Sequence, residues 1–182
     1  MQMKQVVSIN LQKVFALFNN NNLRQQLQGA FVNFDNNAKL YCLDVRNIGK
    51  NGRSRDYKHS PLSLIQGNNR GVFIIFDEIQ KTVFCVAGSE GQDFYPSKAK
   101  GASGNSGVVR YINEQNPRIK NFIKSPKFPS NLTYEQYINK HSILFLCLTP
   151  ALGTQSNFDS NIEQLKVDLG KILTVLNLKP LI

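Results

Sequence analysis

The stretch that decides the fold runs from Gly71 to Val86: Gly71-Val72-Phe73-Ile74-Ile75-Phe76-Asp77-Glu78-Ile79-Gln80-Lys81-Thr82-Val83-Phe84-Cys85-Val86. Val72–Phe76 and Thr82–Val86 are rich in β-branched and aromatic residues, which suit a pleated, packed backbone. Asp77–Lys81 between them has the length of a hairpin loop. Asn68-Asn69-Arg70-Gly71 supplies turn chemistry just ahead of the first strand. An antiparallel pair therefore stands near the middle of the chain, and the flanking segments determine what covers it.

Upstream, Ala30–Phe34 and Lys39–Arg46 read as strands joined by the turn residues Asp35-Asn36-Asn37. In the second of these, Tyr41, Leu43 and Val45 alternate with Leu40, Cys42 and Asp44, and the first set is expected to face the core. Before them, Leu11–Phe18 places Leu11, Val14, Phe15 and Phe18 on one helical face, and Leu23–Gln28 adds a turn or two of helix before Gly29. Downstream, Val109–Ile123 has helical character, with Pro117 starting a new helix or breaking the first. Leu132–Asn139 predicts a short helix, and Ser142–Leu148 is apolar enough for a strand buried on both faces. Near the C-terminal end, Ser160 and Glu163 have capping-box spacing. Ile162, Leu165, Leu169, Ile172, Leu173 and Leu176 follow as a helical stripe, read as core rather than as a docking face. Arg46–Ser60 and Gly88–Gly107 are polar, glycine-containing loops. The pattern gives an α+β protein, mostly antiparallel β structure flanked by helices, with a C-terminal amphipathic helix. Residues 1–182 form a single domain, with 156–178 as that helix or the start of a linker to further domains.

Composition narrows the class. A chain of 182 residues that is 41% hydrophobic can bury a core. No apolar run reaches the ~18 residues needed to cross a bilayer, so a cytoplasmic protein without a membrane partner is expected. Cys42, Cys85 and Cys147 lie far apart in strand-like runs, which predicts buried reduced thiols and no zinc spacing. The formal net charge of +10 and the pI near 9.7 point to a polyanionic partner. The charge is clustered. Arg46, Lys50, Arg53, Arg55 and Lys58 are opposed only by Asp56. Lys98, Lys100, Arg110, Arg118, Lys120, Lys124 and Lys127 are opposed only by Glu114.

Enzyme motifs fail one by one. No Glu-x-Lys exists for a metal-dependent nuclease core, and His59 and His141 are isolated. Gly101–Gly107 lacks the Gly-Lys-Ser/Thr ending of a phosphate loop. Gly71-Val72-Phe73 and Val86-Ala87-Gly88 echo the strand motifs of GIY-YIG endonucleases, but Phe73 and Val86 occupy the tyrosine positions and no Arg follows until Arg110. No catalytic residue, metal ligand or cofactor is expected. A small nuclease or toxin with an unrecognised site is the enzymatic alternative.

The aromatic strand from Tyr41 ending in Arg46, then Gly49-Lys50, Arg53, Arg55 and Asp56, then Ser60-Pro61-Leu62 and the hairpin from Gly71, resembles one known family. It is the B3-like DNA-binding pseudobarrel, the recognition domain of EcoRII- and BfiI-type restriction endonucleases and of McrBC-like systems of the LlaJI kind. The resemblance covers Tyr41–Val86. It implies a pseudobarrel that binds duplex DNA site-specifically, with cutting done by further domains or subunits, an ATPase motor and a nuclease. It makes Lys50, Asn51, Arg53, Arg55 and Asp56 the base-contacting set on an arm in the major groove. The chemistry fits: Arg and Lys donate to guanine O6 and N7, and Asp accepts from the cytosine amino group. Arg46, Lys58, Arg70, Lys98 and Lys100 are the expected phosphate contacts. The family's second arm is either reduced to Lys4, Gln5 and Ser8 or replaced by residues 98–107. Two further alternatives are a modified-base reader, with Tyr57 or Tyr95 in a pocket for a flipped base, and an RNA- or protein-binding module using the basic face.

Overall fold

The computed structural model of the chain describes residues 6–10, 21–47, 70–89 and 107–182. The expected helix at Leu11–Phe18 and the two long loops fall outside the described residues, apart from Arg46, Asn47, Gly88, Ser89 and Gly107.

The described strands form one antiparallel sheet. β1 (Val6–Asn10), β2 (Asn37–Asp44), β3 (Gly71–Asp77), β4 (Thr82–Gly88) and β5 (Ser142–Cys147) lie in the order β1-β2-β5-β3-β4. The hairpin of β3 and β4 pairs as the sequence predicts, from Val72 opposite Gly88 to Asp77 opposite Thr82. Its loop is an Asx turn: the Asp77 Oδ1 accepts from the backbone N–H of Ile79 and of Gln80, each at 2.9 Å. β5, last in the chain, inserts between β2 and β3. Among the described residues the sheet is open, with β1 and β4 as its edges.

Both faces of the sheet are covered, which explains the near-continuous apolar runs of β3 and β5. On one face, Tyr41, Leu43, Val45, Phe73, Ile75, Ile143 and Phe145 pack against α2 (Val109–Ile112), α3 (Pro117–Ile123) and α4 (Tyr134–Ile138). The expected inward set of Tyr41, Leu43 and Val45 is buried there. On the other face, Ala38, Val72 and Leu146 pack against α1 (Asn21–Ala30) and α5 (Phe158–Val175). A β-bulge where Ile75 and Phe76 face Cys85 and Val83 leaves Phe84 as the extra residue. Phe84 and Cys85 consequently both enter the first core, and the Phe84 ring meets Phe122, Tyr137 and His141 edge-on. The segment after α5 returns along the β4 edge. There Leu181 N–H donates to the carbonyls of Val83 and Phe84, and Ile182 N–H donates to that of Phe84.

Three expectations are corrected. Ala30–Phe34 is not a strand: Ala30 ends α1, residues 31–33 turn, and Phe34 makes only an isolated bridge to Pro150. Leu27, Phe31 and Phe34 are spaced for one helical face, and that face fills the second core. Lys39–Arg46 also ends earlier than expected, since Val45–Asn47 is a 3-10 turn. Finally, Ser160 and Glu163 do not form a capping box. α5 begins at Phe158, two residues earlier, where the Phe158 ring packs edge-on against Phe34 at 6.0 Å. The capping box lies at α4: Gln136 N–H donates to Thr133 Oγ1, and Thr133 N–H donates to Gln136 Oε1. The stripe on α5 is core at Ile162, Leu165, Leu169, Ile172 and Leu173, while Leu176 is exposed.

Candidate nucleic-acid interface

Two of the sequence-predicted contact residues fall among the described residues, and the sheet holds them apart. Arg46 follows the end of β2, where Asp44 pairs with Ser142. Arg70 precedes β3, whose first residue Gly71 pairs with Cys147. Ser142 and Cys147 are the two ends of β5, five steps of ~3.4 Å or about 17 Å apart. Residues 48–69 thus connect opposite ends of the sheet. The base-contacting set Lys50, Asn51, Arg53, Arg55 and Asp56, together with Lys58, belongs to this connection and lies outside the described residues. So do Lys98, Lys100, Tyr57 and Tyr95.

Both described arginines are ion-paired. The exposed Arg46 guanidinium grips the Asp44 carboxylate through Nε, at 3.1 Å from both oxygens, and through Nη2 at 2.6 Å from Oδ2. That pairing raises its pKa further above an already high value. Arg70 is half-buried and donates from Nη1 to Asp159 Oδ1 at 3.0 Å, in the first turn of α5. Its Nε is buried without a partner among the described residues. Beside it, Gly71 and Ser89 clasp each other: Gly71 N–H donates to Ser89 Oγ at 2.7 Å, and Ser89 N–H donates to Gly71 O at 2.9 Å. Arg70 O accepts from Leu148 N–H at 2.9 Å. With Ser89 Oγ–H also donating to Gly71 O at 3.2 Å, four hydrogen bonds and one ion pair fix Arg70 and Gly71 at the start of β3.

The described part of the second basic segment is built differently. Asn116 is buried and joins α2 to α3: its Oδ1 accepts from Arg118 N–H at the start of α3, and its Nδ2 donates to Arg110 O near the end of α2, each at 2.9 Å. Pro117 opens α3, where its missing N–H costs nothing. Ile112, Ile119 and Phe122 point into the core. Arg110, Arg118, Lys120, Lys124 and Lys127 are left exposed. Among the described residues none of the five forms an ion pair, and Glu114 is the lone acid between Gly107 and Lys127. Sequence reasoning counted these cations but assigned them no contact; the signal was a run of bases in which Glu114 is the only acid.

α5 shows the opposite arrangement. Lys166 pairs with Glu163, Lys171 pairs with Asp168 at 3.6 Å, and Asp159 takes Arg70. The cations of α5 are each paired within a turn, while among the described residues those of the α2–α3 layer are not.

The remaining ionisable side chains are set for packing. Burial pushes the Cys85 thiol far up and Cys147 up to about 11. It raises Tyr134 strongly and Tyr137 to about 12. Tyr134 Oη donates to Tyr111 O at 2.7 Å. Among the described residues no group of three His, Cys, Asp or Glu side chains could hold a metal ion, and no helix is long and apolar enough to cross a membrane. Compared with known protein families, curated proteins and solved structures, the chain matches none of them.

Proposed function

We propose that the chain binds duplex DNA site-specifically through the major groove, as the cytoplasmic recognition domain of a restriction–modification system. Cleavage and any nucleotide hydrolysis then belong to other domains or subunits, including an ATPase motor and a nuclease. The observation that carries the reading is the one-sided charge. Among the described residues, five exposed cations on the α2–α3 layer stand without acid partners, whereas the cations of α5 are paired. A uniform solubilising charge would not segregate in this way, and a face of one sign is the electrostatic footprint of a polyanion partner. The resemblance of Tyr41–Val86 to B3-like recognition domains supplies the site-specific part, with Lys50, Asn51, Arg53, Arg55 and Asp56 as base readers.

Selection of bound duplexes from a random pool tests this directly. One short sequence should be enriched, and Arg53→Ala or Arg55→Ala should cost ~1–3 kcal/mol while relaxing one base position. A recovered pool that stays random rejects site-specific recognition. Mg²⁺-dependent nicking by the purified chain alone rejects the non-enzymatic part. The pseudobarrel is a separable claim. Four strand spacings put β1 and β4 ~19 Å apart in an open sheet, so spin-label distances well below that would support closure.

A further inference from the structure

We infer that the α2–α3 layer is a phosphate-contacting surface for double-stranded nucleic acid, formed by Arg110, Arg118, Lys120, Lys124 and Lys127. The inference rests on the proposed DNA binding but moves the phosphate contacts to residues not assigned to them before. Arg46 and Arg70 are already held by Asp44 and Asp159, so recruiting either to a phosphate breaks an existing ion pair. Among the described residues the five helix-layer cations have no such pair to break. Lys120 on α3 and its C-cap residue Lys124 are also four residues apart, a like-charge spacing that an anion would relieve.

The surroundings select the kind of anion. Single strands are bound by stacking bases on exposed aromatic rings. Here Phe122, Tyr134 and Tyr137 are buried, and Tyr111 and Phe128 are packed against the same core. Membrane surfaces are bound by cations beside exposed apolar side chains that enter the headgroup region. The described exposed large hydrophobics are Val32, Ile79, Leu152, Val167, Val175 and Leu176, and none lies between residues 107 and 127. A basic face without exposed rings or apolar side chains fits the ordered phosphates of a duplex, which carry affinity without sequence information. Asn116 fixes α2 against α3, so the cations of both helices are presented together.

The test compares the full chain with the variant Arg118→Gln/Lys120→Gln/Lys124→Gln/Lys127→Gln on its selected duplex and on a random duplex. All four positions are exposed, and thermal unfolding checks that the fold is kept. Each lost phosphate contact removes about 0.9 from the slope of log affinity against log salt. The variant slope should therefore be shallower by about 3.6 on both duplexes, with the enriched sequence unchanged. Over a fourfold rise in salt the variant then loses on the order of 100-fold less affinity than wild type does. An unchanged slope in a folded variant overturns the inference and leaves site-specific binding standing. A shallower slope in a wild-type background that enriches no sequence supports the inference and rejects site-specific recognition. Absence of duplex binding by wild type at 50 mM salt overturns both. Tighter wild-type binding to a single strand, or to vesicles of anionic phospholipid, overturns the duplex assignment.

Discussion

Gly71→Ala is expected to be among the most damaging single-methyl changes in the chain. A Cβ at Gly71 would stand 1.9 Å from the carbonyl oxygen of Leu146, 2.9 Å from its carbonyl carbon and 3.2 Å from Cys147 Cα. Ordinary contact begins at 3.4 Å, so the backbones of β3 and β5 must separate locally by about 1.5 Å. Every atom in the way is backbone, and no side-chain rotation relieves the clash. Three bonds of 2.7–2.9 Å converge on this point: Leu148 N–H to Arg70 O, Ser89 N–H to Gly71 O, and Gly71 N–H to Ser89 Oγ. Moving β3 from β5 by that amount takes the Leu148–Arg70 bond beyond useful hydrogen-bond length, and the same shift drives Gly71 into Ser89 on its β4 side and disrupts that clasp. At ~1 kcal/mol each the loss is ~3 kcal/mol, offset by the ~0.4–1 kcal/mol that Gly→Ala gains by restricting the unfolded chain. A net loss of ~2–3 kcal/mol is expected, or a fall of ~1–1.5 M in the urea midpoint for a slope near 2 kcal/mol/M. Gly170→Ala is the matched control. It lies in α5 with nothing within 4 Å of the added methyl, so it should stabilise by ~0.5–1 kcal/mol. A Gly71→Ala protein within ~0.5 kcal/mol of wild type would refute this close packing of β3 on β5.

Other expectations follow from the first core and the β4 edge. His141 is 1% exposed, its Nδ1–H donates to Tyr137 O at 3.0 Å, and its Nε2 has no partner among the described residues. Burial lowers its pKa below the usual value despite the backbone carbonyl and Asp77. The unfolded chain therefore binds more protons just below pH 6.5, so stability is complete above that pH and declines as pH falls toward the folded pKa. His141→Phe should remove up to ~1.4 kcal/mol per pH unit of that decline, and unfolding curves for wild type and variant that stay parallel from pH 7 to pH 5 would exclude the effect. Phe84→Ala should cost ~3–5 kcal/mol, because the ring is fully buried among Phe122, Tyr137 and His141. Ile79→Ala, in the exposed hairpin loop, should stay within ~0.5 kcal/mol in the same chemical denaturation series. Deleting residues 178–182 uncovers the outer edge of β4 and should produce concentration-dependent association in sedimentation velocity. A monodisperse truncated protein would show that the edge is otherwise protected.

The parts of the fold that are legible in the sequence are those where local chemistry and burial agree. β3, β4 and β5 carry β-branched and aromatic runs because helices cover both sheet faces, and Pro117 starts α3 as its missing N–H permits. Phe31 and Phe34 mislead because aromatic residues suit strands, while their spacing from Leu27 is helical and the second core uses that spacing. Thr133 with Gln136 and Ser160 with Glu163 present the same capping signature. Only the first caps a helix, because the stacking of Phe158 on Phe34 starts α5 earlier. The strand order is invisible to local patterns, since placing β5 between β2 and β3 depends on pairing across the whole chain. For the candidate interface, the clustering of bases is plain in one dimension. The neutralisation of Arg70 by Asp159, 89 residues away, is not.

The placement of β5 also has a kinetic side. Until residues 142–147 are available, the β1–β2 pair and the β3–β4 hairpin share no strand, and each presents a bare inner edge. A chain emerging from the ribosome therefore holds two half-sheets that cannot join before residues 142–147 have been made. Pairings between residues 39–44 and 142–147 close loops of about a hundred residues, the kind of non-local contact that slows folding and prolongs exposure of unpaired strands. Substitutions in β5 should accordingly slow folding as well as speed unfolding, whereas those confined to the 77–81 turn should leave the folding rate nearly unchanged. Stopped-flow refolding of Ile143→Val and Glu78→Ala variants separates the two.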